Sequence, residues 1–443
     1  MATLLETSFS QFEVAPIVRV YGKIKRISGQ SVFVSGMGHI LEQGAFVRTW
    51  DSDGGALDGE VIALDAGEAL IALYGDSLAL KIGQRVEHIP PPQFYPSTDW
   101  VGKVLDYQGQ TVDGVKPRAG KRPISLNGAP PHAILRKSLG LRLHTATAAL
   151  DSFLPLCCGQ RVGLFAGSGV GKSTLLANLA KSSDADINII ALIGERGREV
   201  RHFVEKTLGE EGMKKSIVFV ATSDMSSAIK LRTAQLAMAT AEYFRDAGQQ
   251  VLYLFDSVTR YAEAHRDLAL SAGEVPALRA YPPSTFRSMA ALCERAGPGV
   301  DGAGDITAIF SVLVAGSNME EPVADMVRGI LDGHIVLDRD IAERGRFPAI
   351  NIRQSVSRSL PDAATAEQNA LLRQAREHIM RFEESRSLIQ AGLYVSGSDP
   401  KLDAAISVYD ALDGFVGESG HAGIGETFAA LDKIISGSPE NND

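Results

Sequence analysis

Between an apolar run, Arg161-Val162-Gly163-Leu164-Phe165, and a helix-forming one stands Ala166-Gly167-Ser168-Gly169-Val170-Gly171-Lys172-Ser173. It follows the phosphate-binding pattern G-x-x-x-x-G-K-[ST] at every place but the first, which Ala166 holds. Glycines let a chain wrap closely enough for consecutive N–H groups to face phosphate oxygens. The helix that follows adds the positive end of its dipole. The expected cradle is Gly167, Ser168, Gly169, Val170 and Gly171, continued by Lys172, Ser173 and Thr174. Lys172 would bridge the β- and γ-phosphates and the Ser173 hydroxyl would ligate Mg²⁺, so ATP and Mg²⁺ are the expected cofactors. The alternative is a glycine-rich turn that contains Gly-Lys-Ser by chance. The strand before, the helix after and an acid downstream weigh against it.

That acid is Asp256, at the end of Val251-Leu252-Tyr253-Leu254-Phe255. An acid at the carboxyl end of a buried strand stands on the rim where open α/β sheets bind ligands. There Asp256 would hold Mg²⁺, the Walker-B role. Its other reading is a cap for a helix starting near Ser257; the phosphate loop favours the metal role. Glu195 lies two residues beyond the apolar run Ile189–Ile193, within Gly194-Glu195-Arg196-Gly197-Arg198-Glu199. A carboxylate at that sheet edge can polarise water for in-line attack on phosphorus, whereas the spacing alone fits a solvated charged turn equally well. Arg196, Arg260 and Arg358 are candidates to neutralise transition-state charge, and composition singles out none of them.

Further apolar runs of strand length surround the loop: Ile187–Ile193, Ile217–Ala221, Val251–Phe255, Asp305–Ala315 and Ile335–Leu337. Helix-length stretches separate them, at Lys172–Ser182, Arg198–Leu208 and Ser226–Asp246. Continuous apolar strands alternating with helices predict an α/β domain with a doubly wound parallel sheet, covered on both faces. Toward the N-terminus, from about Ile17 to Val86, short strands punctuated by glycines predict a small β-barrel or sandwich. Beyond Pro361 the stretches Ala363–Ile389, Asp403–Phe415 and Glu426–Ile435 predict helices. The expected division is an arm over 1–16, a β-barrel over 17–96, a P-loop ATPase domain over 97–360 and a helical domain over 361–443.

Composition bounds the rest. At about 150 residues per domain, 443 residues make about three. A net charge of −9 disfavours a broad nucleic-acid surface. Cys157, Cys158 and Cys293 form no CxxC pair, which fits a reducing cytosol and small core residues. The N-terminus lacks a signal-peptide pattern. The longest apolar run, Ile306–Ala315, is far short of the ~20 residues that cross a bilayer, so any membrane association would be peripheral.

Taken together, AGSGVGKST (166–174), GERGREV (194–200), LYLFDSVTRYAEAHRDLAL (252–270), AYPPSTF (280–286), LCERAGPG (292–299), EEPVADMVRGILDGHIVLDR (320–339) and INIRQSVSRS (350–359) closely resemble the flagellar and virulence type III export ATPases. These are relatives of the rotary F- and V-type ATPase subunits. The resemblance runs densely from about Gly102 to Pro361 and more loosely through Leu393–Pro400 into the last helices. It implies Glu195 as the carboxylate that activates water and Arg196 as a support for that carboxylate or the γ-phosphate. It implies Arg260 as a second γ-phosphate contact and Arg358 as an arginine finger reaching a neighbouring subunit's site. Phe347 would stand where F-type catalytic subunits place an adenine-stacking tyrosine, a task that asks only for a π-face.

A chain holding both Glu195 and Arg358 can build equivalent sites around a homohexameric ring. The implied function is ATP hydrolysis that energises flagellar protein export at the cytoplasmic face of a membrane export gate, at the flagellar base. The implied partners are a stator-like negative regulator, a stalk-like coiled coil, chaperone–substrate complexes and the gate, with no nucleic acid. The apolar residues Leu4, Leu5, Phe9 and Phe12 would make Met1–Ala15 an amphipathic regulator-binding arm. The rival readings are a virulence injectisome ATPase, a hexameric RNA-translocating motor, an ATP synthase subunit and a non-catalytic binding subunit.

Overall fold

A computed structural model describes residues 19–437, apart from 66, 76, 278–279 and 315–318. The arm expected over 1–16 lies outside the described residues. The chain forms two units. One holds the described residues up to Pro92 with Met225–Ile229 and Ala264–Val275; the other holds the remainder.

In the first unit, strands β1 (Tyr21–Ser28), β2 (Ser31–Ser35), β3 (Phe46–Trp50), β4 (Ala56–Asp65), β5 (Glu68–Leu73) and β6 (Arg85–Ile89) close into a barrel of order β1-β2-β5-β4-β3-β6. All its pairings are antiparallel. Ile24, Val32, Val34, Val47, Val61, Ile71 and Val86 fill its interior, one apolar side chain per pleat repeat, as a closed sheet requires.

The second unit is built on a nine-stranded sheet. Its strands are β7 (Val104–Leu105), β8 (Arg161–Ala166), β9 (Ile187–Glu195), β10 (Ser216–Thr222), β11 (Val251–Asp256), β12 (Gly297–Pro298), β13 (Asp305–Leu313), β14 (Gly333–Leu337) and β15 (Val356–Ser357). The order is β15-β14-β8-β13-β11-β9-β10-β7, with β12 antiparallel to β13. From β14 to β7 the neighbours are parallel; β15 runs antiparallel along β14. Parallel pairing brings the carboxyl ends of β8, β9 and β11 to one edge, which places the phosphate loop, Glu195 and Asp256 together.

Seven helices of eleven or more residues occur among the described residues: α1 (Lys172–Ser182), α2 (Ser227–Asp246), α3 (Val258–Ser271), α4 (Pro283–Arg295), α5 (Ala366–Gln390), α6 (Pro400–Gly417) and α7 (Ile424–Ser436). The last three share one hydrophobic core with the sheet, in which Leu372, Ile379, Leu412, Phe415 and Leu431 join Leu164, Leu176, Ile190 and Leu252. Phe415 meets Phe153 edge-on at 6.3 Å. Helix α5 starts three residues later than expected, where Thr365 and Gln368 form a reciprocal capping box. Helix α6 starts at Pro400 because Asp399 caps the N–H groups of Lys401 and Leu402. The helix expected over Arg198–Leu208 is α-helical only at Gly197–His202 and then widens into a π turn over Phe203–Leu208. An i→i+5 turn carries Phe203 and Leu208, both buried, to the same side.

Candidate active site

The loop after β8 makes its turns with Gly169 (φ +80°) and Gly171 (φ +90°) and enters α1 at Lys172. Val170 is buried beneath the loop, while Ser168, Gly169, Ser173 and Thr174 face solvent. Ala166 is no misfit: it is an extended residue of β8, paired with Leu313 on one side and Leu337 on the other, its methyl buried.

Lys172 reaches past β13 to the acids at the ends of β11 and β9. Its Nζ pairs with Asp256 Oδ1 and stands 3.5 Å from Glu195 Oε1. Burial lowers its proton affinity, but Asp256 and Glu195 outweigh burial and hold the ammonium above its ordinary value. Asp256 is steadied by a third group: Ser311 Oγ, on β13 between β8 and β11, donates to Asp256 Oδ1 at 2.6 Å.

Glu195 is the last residue of β9, not a turn residue beyond it. Its carbonyl accepts from Ser223 N at 2.9 Å, and the register with β10 shifts at Thr222 to keep it paired. Burial pushes its carboxyl above the ordinary 4.5; Lys172 pulls it down, and Asp256 and Glu199 push it up. Gly194 (φ +75°) lets Arg260 lie against the strand, since a β-carbon there would stand 2.7 Å from Arg260 Cβ. The Arg260 guanidinium, on the first turn of α3, pairs with Glu263 at 2.8 Å and stays partly exposed.

Arg196 follows Glu195 directly, yet its side chain is exposed and pairs with Glu199 at 2.9 Å. Glu199 also stands near the Glu195 carboxyl and pushes its proton affinity up, so the link from Arg196 to Glu195 runs through Glu199's charge. Phe347 is brought to the phosphate loop: its Cδ1 is 3.2 Å from where a β-carbon on Gly171 would be, and half of the residue remains exposed. Arg358 is not brought there. Its N–H donates to Asp332 O, and Asp332 N–H donates to Arg161 O, at the start of β8. The five-residue rise to Ala166, about 17 Å at ~3.3 Å per residue, separates it from its own chain's loop.

Reading the sequence missed Ser311 and Glu199. The signal for Ser311 was faint, a hydroxyl between Phe310 and Val312 in a strand that also carries Thr307. For Glu199 nothing marked one acid among the charges of residues 195–199.

A parallel sheet with a phosphate loop, a lysine shared between two strand-end carboxylates and an aromatic ring over the loop define a P-loop ATPase. Residues 146–357 match the ATP synthase alpha/beta family nucleotide-binding domain, and residues 364–432 match the T3SS EscN ATPase C-terminal domain. The flagellum-specific ATP synthase of Bacillus subtilis is 40% identical over 425 residues, covering 95% of this chain and 97% of that one. Its counterpart from Salmonella typhimurium is 37% identical, covering 94% and 93%. Among solved structures, the assembled ATPase EscN of the enteropathogenic E. coli type III secretion system is 35% identical, with a TM-score of 0.86 over 94% of this chain and all of that one. EscN in complex with its central stalk EscO gives 0.83. The chain belongs to the family of flagellum-specific ATP synthases, the ATPases of type III protein export, and it hydrolyses ATP. Among the described residues no helix is long and apolar enough to cross a membrane.

Proposed function

We propose that this chain energises flagellar protein export as a homohexameric Mg-ATPase ring in the cytoplasm, docked at the membrane export gate. The observation that carries the ring is the position of Arg358. It lies at the opposite sheet edge from Lys172, Glu195 and Asp256, so a finger role requires a second copy. The reading draws further support from the assembled form and the central stalk of EscN. A coiled-coil stalk is therefore a proposed partner, along with a stator-like negative regulator and chaperone–substrate complexes. In this reading residues 17–96 form the ring's crown, 97–360 its motor and 361–443 its base.

The chemistry follows from the charges. Lys172 transfers its ammonium from the two carboxylates to the β- and γ-phosphates. Glu195 then loses its nearest cation, and its already raised proton affinity rises further, which suits a base that takes a proton from attacking water. Arg196, paired with Glu199, tempers the charge of that acid near Glu195, and Arg260 lies against Gly194 to meet γ-phosphate charge. Ser173 and Asp256 offer hard oxygen donors, with Asp256 held in one orientation by Ser311; this donor set fits Mg²⁺. When bound, Mg²⁺ neutralises charge on the phosphate oxygens. Phe347 stacks on the adenine.

Two measurements test the function. Purified protein should hydrolyse ATP with Mg²⁺ faster as concentration rises and rings form; RNA-stimulated turnover would overturn the export reading. Expression in a bacterium lacking its flagellar ATPase should restore motility. Restoration of virulence secretion alone, in a strain lacking its injectisome ATPase, would favour the injectisome reading.

A further inference from the structure

Arg346 immediately precedes Phe347, and its side chain does not enter the nucleotide site. It turns back through its own loop, with only 11% of the side chain exposed. Nη1 donates to Pro348 O at 3.0 Å and Nη2 to Ile350 O at 2.9 Å. The guanidinium therefore spans the two carbonyls that flank Ala349. The third nitrogen faces helix α6: Nε stands 2.9 Å from Asp413 Oδ1, an ion-pair contact outside hydrogen-bond alignment. One turn further along α6, a β-carbon on Gly417 would stand 3.2 Å from Arg346 Cγ and 3.3 Å from Phe347 O. The other end of the segment is tied to the sheet, because Asp338 N donates to Ala349 O and Asn351 N to Val336 O.

The Phe347 ring, by contrast, is half exposed and touches the phosphate loop at Gly171. A half-exposed ring has little packing of its own to hold it. Its place is set by the backbone on which it stands, and that backbone is held by a planar five-donor group anchored on α6. We propose that Arg346, anchored by Asp413, is a positioning residue that presents Phe347 to the nucleotide base and ties nucleotide affinity to the place of helix α6. This rests on the reading of Phe347 as the base-stacking residue. It also makes the link reciprocal: whatever displaces α6 loosens the base, and a bound base steadies α6.

The test uses the full chain and steady-state ATP hydrolysis. Arg346 and Asp413 line a cavity of about 700 Å³ that also receives Arg353, Glu383 and Tyr409, so truncating Arg346 leaves no sealed void. Phe347→Ala is expected to raise the KM for ATP about tenfold, with kcat within about twofold. Arg346→Ala should do the same, and Arg346→Lys, which keeps the charge but loses the fork, should recover part of the loss. Asp413→Asn, at a partly exposed helix position, should raise KM about threefold and serves if Arg346→Ala folds poorly. Adding Arg346→Ala to Phe347→Ala should raise KM no further. If Phe347→Ala raises KM but Arg346→Ala and Asp413→Asn leave it unchanged, the positioning role is wrong and stacking stands. An additive double variant likewise overturns the positioning role, because Arg346 then acts independently of the ring. If Phe347→Ala leaves KM unchanged, the stacking reading falls and takes this proposal with it.

Discussion

At Glu195 two requirements pull against each other. A base that accepts a proton from water must be ionised, yet it stands largely buried at the end of β9 beside Asp256 and Glu199, which raises its proton affinity above the ordinary value. The sign is that of a raised acid. The folded protein holds the proton more tightly than the unfolded chain, so its relative stability is greatest below the ordinary carboxylate pKa and falls as pH rises through the folded value. Ionised Glu195 is thus a cost to the fold at neutral pH, only partly offset by Lys172. Glu195→Gln should lower turnover by about 10²–10⁴-fold and raise the melting temperature at neutral pH. That gain should shrink as pH is lowered into the carboxylate range, where the wild-type residue is protonated too. Melting curves at several pH values check it; a variant less stable than wild type at neutral pH would contradict the assignment of burial as the dominant influence. In wild type, the acid limb of kcat/KM should lie above 4.5 for the same reason.

Elements explain two departures from simple pattern reading. The phosphate-loop pattern asks for glycine at position 166, but backbone freedom is needed only at Gly169 and Gly171, where φ is positive. Ala166 belongs to the strand, with a partner strand on each side. Ala166→Gly should therefore destabilise the protein by about 0.5–1 kcal/mol through backbone entropy and leave the KM for ATP unchanged, which denaturant melts and kinetics measure together. Helix α5 begins at a reciprocal cap whose two bonds each measure 3.2 Å, Gln368 N to Thr365 Oγ1 and Thr365 N to Gln368 Oε1. Thr365→Ala should cost about 1 kcal/mol in a thermal or denaturant melt.

The molecule as a whole must bring separated groups to one phosphate. Within a chain, Arg358 is held at the amino-terminal edge of the sheet by Asp332, while Lys172, Glu195 and Asp256 share the carboxyl-terminal edge. Mixing subunits tests whether the sites are shared. Arg358→Ala and Glu195→Gln proteins, each inactive alone, should partly rescue each other in mixed rings, because some sites then pair an intact Glu195 with a neighbour's intact Arg358. No rescue in rings confirmed to be mixed would remove Arg358 from the mechanism. Net charge was the wrong scale for the ligand. A chain of −9 still gathers an anion through a few local cations, and three of the four, Lys172, Arg196 and Arg260, lie on or next to residues at one sheet edge.

Sequence by itself determined the class of fold and the reactive groups that are local in the chain. The phosphate loop is legible because backbone geometry, glycine and a following helix act over eight consecutive residues. The strands are legible because a sheet covered on both faces demands continuous apolar runs. The N-terminal strands were legible as strands, but only the structure decided between barrel and sandwich, since closure depends on pairing between β1 and β6. Ser311 on Asp256, Arg260 against Gly194 and Phe347 over Gly171 were likewise decided in three dimensions. Each joins residues between 55 and 176 positions apart, and no local pattern encodes which strands become neighbours. The same holds for Arg346: in sequence it is one arginine in a charged stretch, and only the packing of α6 turns its five donors inward onto the loop that carries Phe347.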